Sequence, residues 1–177
     1  AGRPPGGPEP TDLVLVRADG SAEIAARGLE GPNGIAISAD GRTLHVAEPG
    51  AAHVSTFHVG DGGALSNYTV FAKLPDDAVP DGICLDDTGA VWAAAPISRS
   101  AKDRRGPGVI RLTSDGAATH LVPVAPGRRA LACAFGGDGR HDLYICTVAE
   151  VEGPEAFRPG LGRLERVRLD FSGGGFP

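Results

Sequence analysis

Two tripeptides carry the side chains best suited to chemistry: Pro32-Asn33-Gly34 and Pro80-Asp81-Gly82. Asn33 offers an amide carbonyl and Asp81 a carboxylate, hard oxygen donors that favour Ca²⁺, Mg²⁺ or Mn²⁺ over thiolate-seeking metals. The two stand 48 residues apart, and each is followed at once by a short apolar run, Ile35-Ala36-Ile37-Ser38 and Ile83-Cys84-Leu85-Asp86. Each also has a turn glycine at the same offset, Gly41 and Gly89. A third copy, Cys133-Ala134-Phe135 with Gly139 in phase, has Leu131 and Ala132 where the polar residue stood. Both tripeptides are also ordinary turn sequences, because proline fixes φ and Asn or Asp before Gly tolerates the left-handed region. Their common phase favours a shared site. Two ligands nonetheless fall short of the roughly six to eight oxygens that Ca²⁺ takes.

The elements that must position these residues are short strands joined by tight turns. Leu13–Arg17, the Asp19-Gly20 turn and Ala22–Arg27 predict a hairpin, since Asp-Gly supplies the positive φ such a turn needs. The same logic predicts strands over Gly34–Ser38 and Thr43–Ala47, His53–Val59 and Tyr68–Ala72, and Gly82–Asp86 and Val91–Ala94. It continues through Val109–Leu112 and Thr119–Val124, Cys133–Phe135 and Leu143–Thr147, and a last strand over Arg163–Leu169. No stretch has the helical spacing of apolar residues. Four strands in each period of about 50 residues is the pattern of a β-propeller blade. The fold predicted is all-β, a single partial propeller domain over 1–177, with residues 1–10 a loop or ragged end and 171–177 a flexible tail. About 13 strands make only a little over three blades, and a propeller closes with about four to eight. Further N-terminal sequence or a partner chain is therefore expected to complete the ring.

Composition narrows the partners. A net charge of −5 argues against nucleic acid, whose binders carry a basic face. The basic cluster Lys102-Asp103-Arg104-Arg105 is interrupted by an acid and reads as a solvated loop tip. No apolar run reaches the length of a membrane span, and no signal peptide opens the chain. Cys84, Cys133 and Cys146 lie in apolar strand segments and read as buried free thiols in a reducing compartment, so the cytoplasm is the expected location.

The run from Gly31-Pro32-Asn33-Gly34-Ile35-Ala36-Ile37-Ser38-Ala39-Asp40-Gly41 through Arg42-Thr43-Leu44-His45-Val46-Ala47-Glu48 resembles the gluconolactonase, regucalcin (senescence marker protein) and luciferin-regenerating enzyme family. So do Val79-Pro80-Asp81-Gly82-Ile83-Cys84-Leu85-Asp86, Val91-Trp92-Ala93 and Ala134-Phe135-Gly136-Gly137, and the likeness extends from about Asp12 to Leu169. The resemblance implies six blades around one divalent cation, Ca²⁺ first with Zn²⁺, Mn²⁺ or Mg²⁺ as alternatives. It implies Asn33 and Asp81 as metal ligands, with Asp81 also catalytic, and a small-molecule lactone as substrate. The family's acidic ligand from its first blade has no counterpart here, so the chain resembles the C-terminal part of such a propeller. A non-catalytic propeller scaffold, or an esterase or phosphotriesterase using the same metal, are the other readings.

Other candidates are weaker. No G-x-S-x-G elbow and no H-E-x-x-H is present, and His45, His53, His58, His120 and His141 are scattered and read as surface or structural. Glu48 at a strand end is expected to face solvent, Asp86 and Asp87 to cap a turn, and Trp92 to pack between blades.

Overall fold

The computed structural model describes residues 9–150 and 160–176. The expected loop over 1–10 therefore lies mostly outside the described residues, and β1 begins at Thr11.

Two of the tight turns close their hairpins for a local reason. Asp40 Oδ1 accepts the Ser38 hydroxyl at 2.6 Å and the Arg42 N–H at 3.0 Å, while Gly41 takes φ +71°. Asp86 does the same for the Thr88 and Ala90 N–H groups, beside Gly89 at φ +80°. These side-chain caps are local, joining residues no more than four apart.

The hairpins assemble into antiparallel sheets. β1 (Thr11–Val16) and β2 (Ala22–Leu29) form one pair. β3 (Ile35–Ile37), β4 (Thr43–Glu48), β5 (His53–Val59) and β6 (Leu65–Lys73) form a complete four-stranded blade in that order. A two-residue strand, β7 (Ala78–Val79), leads into the next blade and pairs with its second strand. That blade is β8 (Ile83–Asp86), β9 (Val91–Ser98), β10 (Arg105–Leu112) and β11 (Ala118–Val122). β12 (Arg128–Gly136), β13 (Asp142–Ala149) and β14 (Gly162–Arg168) form the last sheet. This is the all-β, blade-by-blade architecture the repeat predicts.

The strand pleat explains how one blade packs on two neighbours. On β9, Val91, Ala93 and Ala95 face a core shared with Ala36, Ala47, Val54 and Ala72 of the preceding blade. The alternate residues Trp92 and Ala94 face Ala130, Cys133, Leu143 and Ile145 of the following sheet. Trp92 is wholly buried, meets Phe135 edge-on at 5.8 Å and donates its indole N–H to Asp86 at 2.9 Å. It packs between blades as expected. Asp86 caps its turn as predicted, and it also forms a buried ion pair with Arg111 at 2.7 Å.

Two expectations are corrected. The expected tail over 171–177, as far as residue 176, is not free: β15 (Gly173–Gly174) pairs with Asp86 and Leu85 on β8, and Phe176 exchanges both backbone hydrogen bonds with Ile37. Glycine removes side-chain contacts but not backbone donors and acceptors, which stitch this segment to two blades with help from the Ser172 hydroxyl on Asp87 and from Arg140 on the Gly175 carbonyl. Cys146 is exposed, because its strand neighbours take the inward positions, whereas Cys84 and Cys133 are buried free thiols with Sγ atoms 3.6 Å apart. Of the two readings of His45, the structural one holds, since it is only 5% exposed. Among the described residues no helix is long and apolar enough to cross a membrane.

Candidate metal centre

Each blade begins at the same level with a β-bulge. Asn33 N–H donates to Ala47 O at 3.0 Å and Ala47 N–H to Gly34 O at 2.8 Å, so two residues face one. Asp81 and Gly82 face Ala94 in the same way, at 2.8 and 2.9 Å. The register of β12 on β13 shifts between Ala130 and Ala132, leaving Leu131 as the extra residue of a third bulge. A bulge re-aims the side chain at its extra position. Here it does so at matching points of successive blades.

The bulges interlock. Gly34 N–H donates to Asp81 O at 3.1 Å, and Gly82 N–H donates to Leu131 O at 2.8 Å. Leu131 therefore occupies the structural place of Asp81, as the sequence phase predicts. A Cβ on Gly34 would lie 2.4 Å from Asp81 O, and one on Gly82 would lie 2.6 Å from the Ala132 Cβ. Neither glycine has positive φ. The tripeptides are thus not turns in this fold; their glycines let neighbouring inner strands approach within hydrogen-bonding distance.

This interlock brings the two predicted ligands together. The Asn33 side chain lies near enough to the Asp81 carboxyl to favour its charged form. Burial pushes the Asp81 carboxyl above its usual range, and Asn33 only partly offsets that. No Lys or Arg among the described residues pairs with Asp81 in an ion pair of 4.0 Å or less. A half-buried carboxylate beside a neutral amide and lacking a cationic partner is costly. A divalent cation would offset that cost, and both side chains supply the oxygen donors it prefers. The donor set therefore fits such a cation, although no group of three or more His, Cys, Asp or Glu side chains among the described residues is arranged to hold one. Leu131 presents an apolar side chain, 37% exposed, at the third equivalent position.

Sequence reasoning missed one cluster beside the site. Glu48, expected in solvent, is 1% exposed. Its carboxylate accepts the Glu30 N–H at 2.8 Å and the Tyr68 hydroxyl at 3.0 Å, and it lies 3.1 Å from His53 Nε2. Burial pushes the Glu48 carboxyl up, but hydrogen bonds from Ser55, Glu30, His53 and Tyr68 outweigh it and hold the group below its ordinary value. The same surroundings, burial first and then the Glu48 hydrogen bond and charge, push Tyr68 up to about 12. Across the rim, Arg99 from the end of β9 donates to the carbonyls of Pro49 and Gly50, at 2.6 and 3.2 Å.

Comparison with known proteins places this geometry in context. Residues 3–149 match the model of the SMP-30/Gluconolactonase/LRE-like region. A regucalcin of Danio rerio is 30% identical over 115 residues, covering 64% of this chain and 36% of that protein. Among solved structures, a gluconolactonase from Xanthomonas campestris is 33% identical with a TM-score of 0.60, covering 76% of this chain and 40% of the other. A regucalcin from Agrobacterium tumefaciens, described as a calcium-binding protein, superposes with a TM-score of 0.73 at 22% identity over 94% of this chain and 55% of that one. The chain spans between about a third and a half of the length of the curated relatives it matches.

Proposed function

Because this chain belongs to the SMP-30/Gluconolactonase/LRE-like family, we propose that it supplies the Asn33 and Asp81 ligands of a divalent-cation site in a hydrolase that opens sugar-type lactones. The observation that carries this reading is the repeated bulge, which sets an amide and a carboxylate side by side from two blades. The cation, Ca²⁺ first and Zn²⁺, Mn²⁺ or Mg²⁺ as alternatives, supplies Lewis-acid polarisation of the lactone carbonyl when bound. Asp81 gives the anionic ligand and accepts a proton from the attacking water as its oxygen bonds the carbonyl carbon. The ring C–O bond then breaks, and the leaving oxygen takes up the proton held by Asp81 to become an alcohol, which returns Asp81 to its carboxylate form. Asn33 ligates without adding charge, so the cation keeps its polarising power.

The remaining ligands come from further blades, in the same polypeptide or in a partner chain. Free edges support this: among the described residues β1 pairs only with β2 and β14 only with β13, while Val14, Val16 and Leu164 are exposed. Cytoplasmic residence is part of the same proposal, since Cys84 and Cys133 are close and unbonded. The test is hydrolysis of a panel of sugar lactones, simple esters and phosphotriesters with each cation added back after chelation. Lactone turnover that needs the cation and disappears in Asp81→Ala is expected. Cation-independent turnover, or turnover unchanged in Asp81→Ala, would overturn the reading.

A further inference from the structure

Asn33 reaches its place through a short link, Glu30-Gly31-Pro32, that leaves the end of β2. Three backbone hydrogen bonds hold this link. Gly31 N–H donates to Leu29 O at 3.0 Å, Gly50 N–H to Glu30 O at 2.8 Å, and Asn33 N–H to Ala47 O at 3.0 Å. The remaining donor of the link's first residue, the Glu30 N–H, goes to the Glu48 carboxylate at 2.8 Å. Glu48 directly follows Ala47, so two adjacent residues at the end of β4 grip both ends of the segment that delivers Asn33.

The grip is itself held. Tyr68 on β6 donates its hydroxyl to Glu48 Oε1, and His53 on β5 lies against the same oxygen. The carboxylate thus has one oxygen on the link and the other on the two outer strands of its blade. A buried carboxylate is tolerated only when its lone pairs are filled. Anchoring a single loop N–H does not require a charge. A group that fills both oxygens from opposite sides fixes the loop relative to the blade in a way that an apolar side chain would not.

We propose that Glu48 is a positioning residue for the cation site, acting through the Glu30–Asn33 link to hold the Asn33 carbonyl at coordinating distance. This rests on the reading of Asn33 and Asp81 as cation ligands. Groups that orient a ligand in this way are worth roughly 10–100-fold in metal affinity.

The experiment uses Tb³⁺, a hard oxygen-seeking ion, as the probe on the whole 177-residue chain. Affinity is read by titration, and bound water is counted from luminescence lifetimes in H₂O and D₂O. Wild type is expected to bind saturably. Glu48→Ala is expected to bind at least about tenfold more weakly and to gain about one water where the Asn33 carbonyl withdraws. Glu48→Gln, whose amide carbonyl still accepts the Glu30 N–H, is expected to restore both. A merely structural Glu48 would lower the melting temperature and leave the water count unchanged. Should Glu48→Ala not fold, Glu30→Pro removes the donor while leaving the bonds of Glu48 to Tyr68 and His53, and the same loss is expected. A folded Glu48→Ala or Glu30→Pro chain with wild-type affinity and water count would overturn the proposal. Failure of the wild-type chain to bind Tb³⁺ would overturn the ligand reading beneath it, and would show before any variant is made.

Discussion

Replacing Gly34 by alanine separates two accounts of the same residue. If Pro32-Asn33-Gly34 were a solvated turn, Gly34→Ala at negative φ would be neutral or would stabilise the protein by about 0.4–1 kcal/mol through the unfolded chain. In the structure the new methyl would stand 2.4 Å from Asp81 O, 2.7 Å from Ile83 N and 2.8 Å from the Gly82 Cα. All three are backbone atoms of the neighbouring inner strand, so no side chain can rotate away. Relief requires the two blades to part by close to an ångström at their most intimate point, which also strains the Gly34 N–H to Asp81 O bond of 3.1 Å. Overpacking of this kind costs about 1–3 kcal/mol or more, and the weakened hydrogen bond adds about 1 kcal/mol. A loss of about 3 kcal/mol corresponds to a fall of roughly 6–12 °C in melting temperature for a chain of this size. Urea unfolding followed through Trp92, the single tryptophan, measures it directly. Gly41→Ala is the control: its φ is +71° with open space around it, so only the left-handed penalty of about 1–2 kcal/mol applies. A Gly34→Ala chain as stable as wild type would refute the interlocking of the inner strands.

Three further outcomes are expected. His45 is buried with its Nδ1 unpartnered, and burial lowers its pKa to about 4. Below pH about 6.5 the unfolded chain takes up a proton that the folded ring refuses, so stability falls by about 3 kcal/mol as pH drops to about 4. Denaturation curves across that window should flatten in His45→Leu, and an unchanged slope would contradict the assignment. Arg111→Ala leaves the Asp86 carboxylate buried without its cation and should destabilise the fold by about 3–5 kcal/mol in urea titrations. Deleting the chain from Gly173 onward removes the partner of Ile37, so amide exchange at Ile37 should accelerate by orders of magnitude while Trp92 remains native-like.

Much of the architecture was legible because its signals are local. Asp-Gly pairs at matching offsets mark the hairpins, alternating apolar residues mark the strands, and the repeat of near 50 residues marks the blades. Asn33 and Asp81 stood out because identical phase in a repeat becomes proximity around an axis. Other features depend on partners distant in sequence. Glu48 reads as exposed because its type and strand-end position are those of a surface residue; Glu30, His53 and Tyr68 bury it. The close backbone approach at Gly34 and Gly82 is not legible, because nothing in the sequence places the next inner strand against them. The Ser172–Gly175 run reads as flexible by composition, yet backbone pairing with β8 and the Ser172 hydroxyl on Asp87 order it.

The central claim is that Asn33 and Asp81 bind one divalent cation. Calorimetric titration of the chain with Ca²⁺ and Mn²⁺, with Asp81→Ala alongside, tests it most directly. Saturable binding of one ion that is lost in a variant still melting as a folded protein is the predicted result. Binding that persists in Asp81→Ala, or no binding by the wild-type chain, would contradict it.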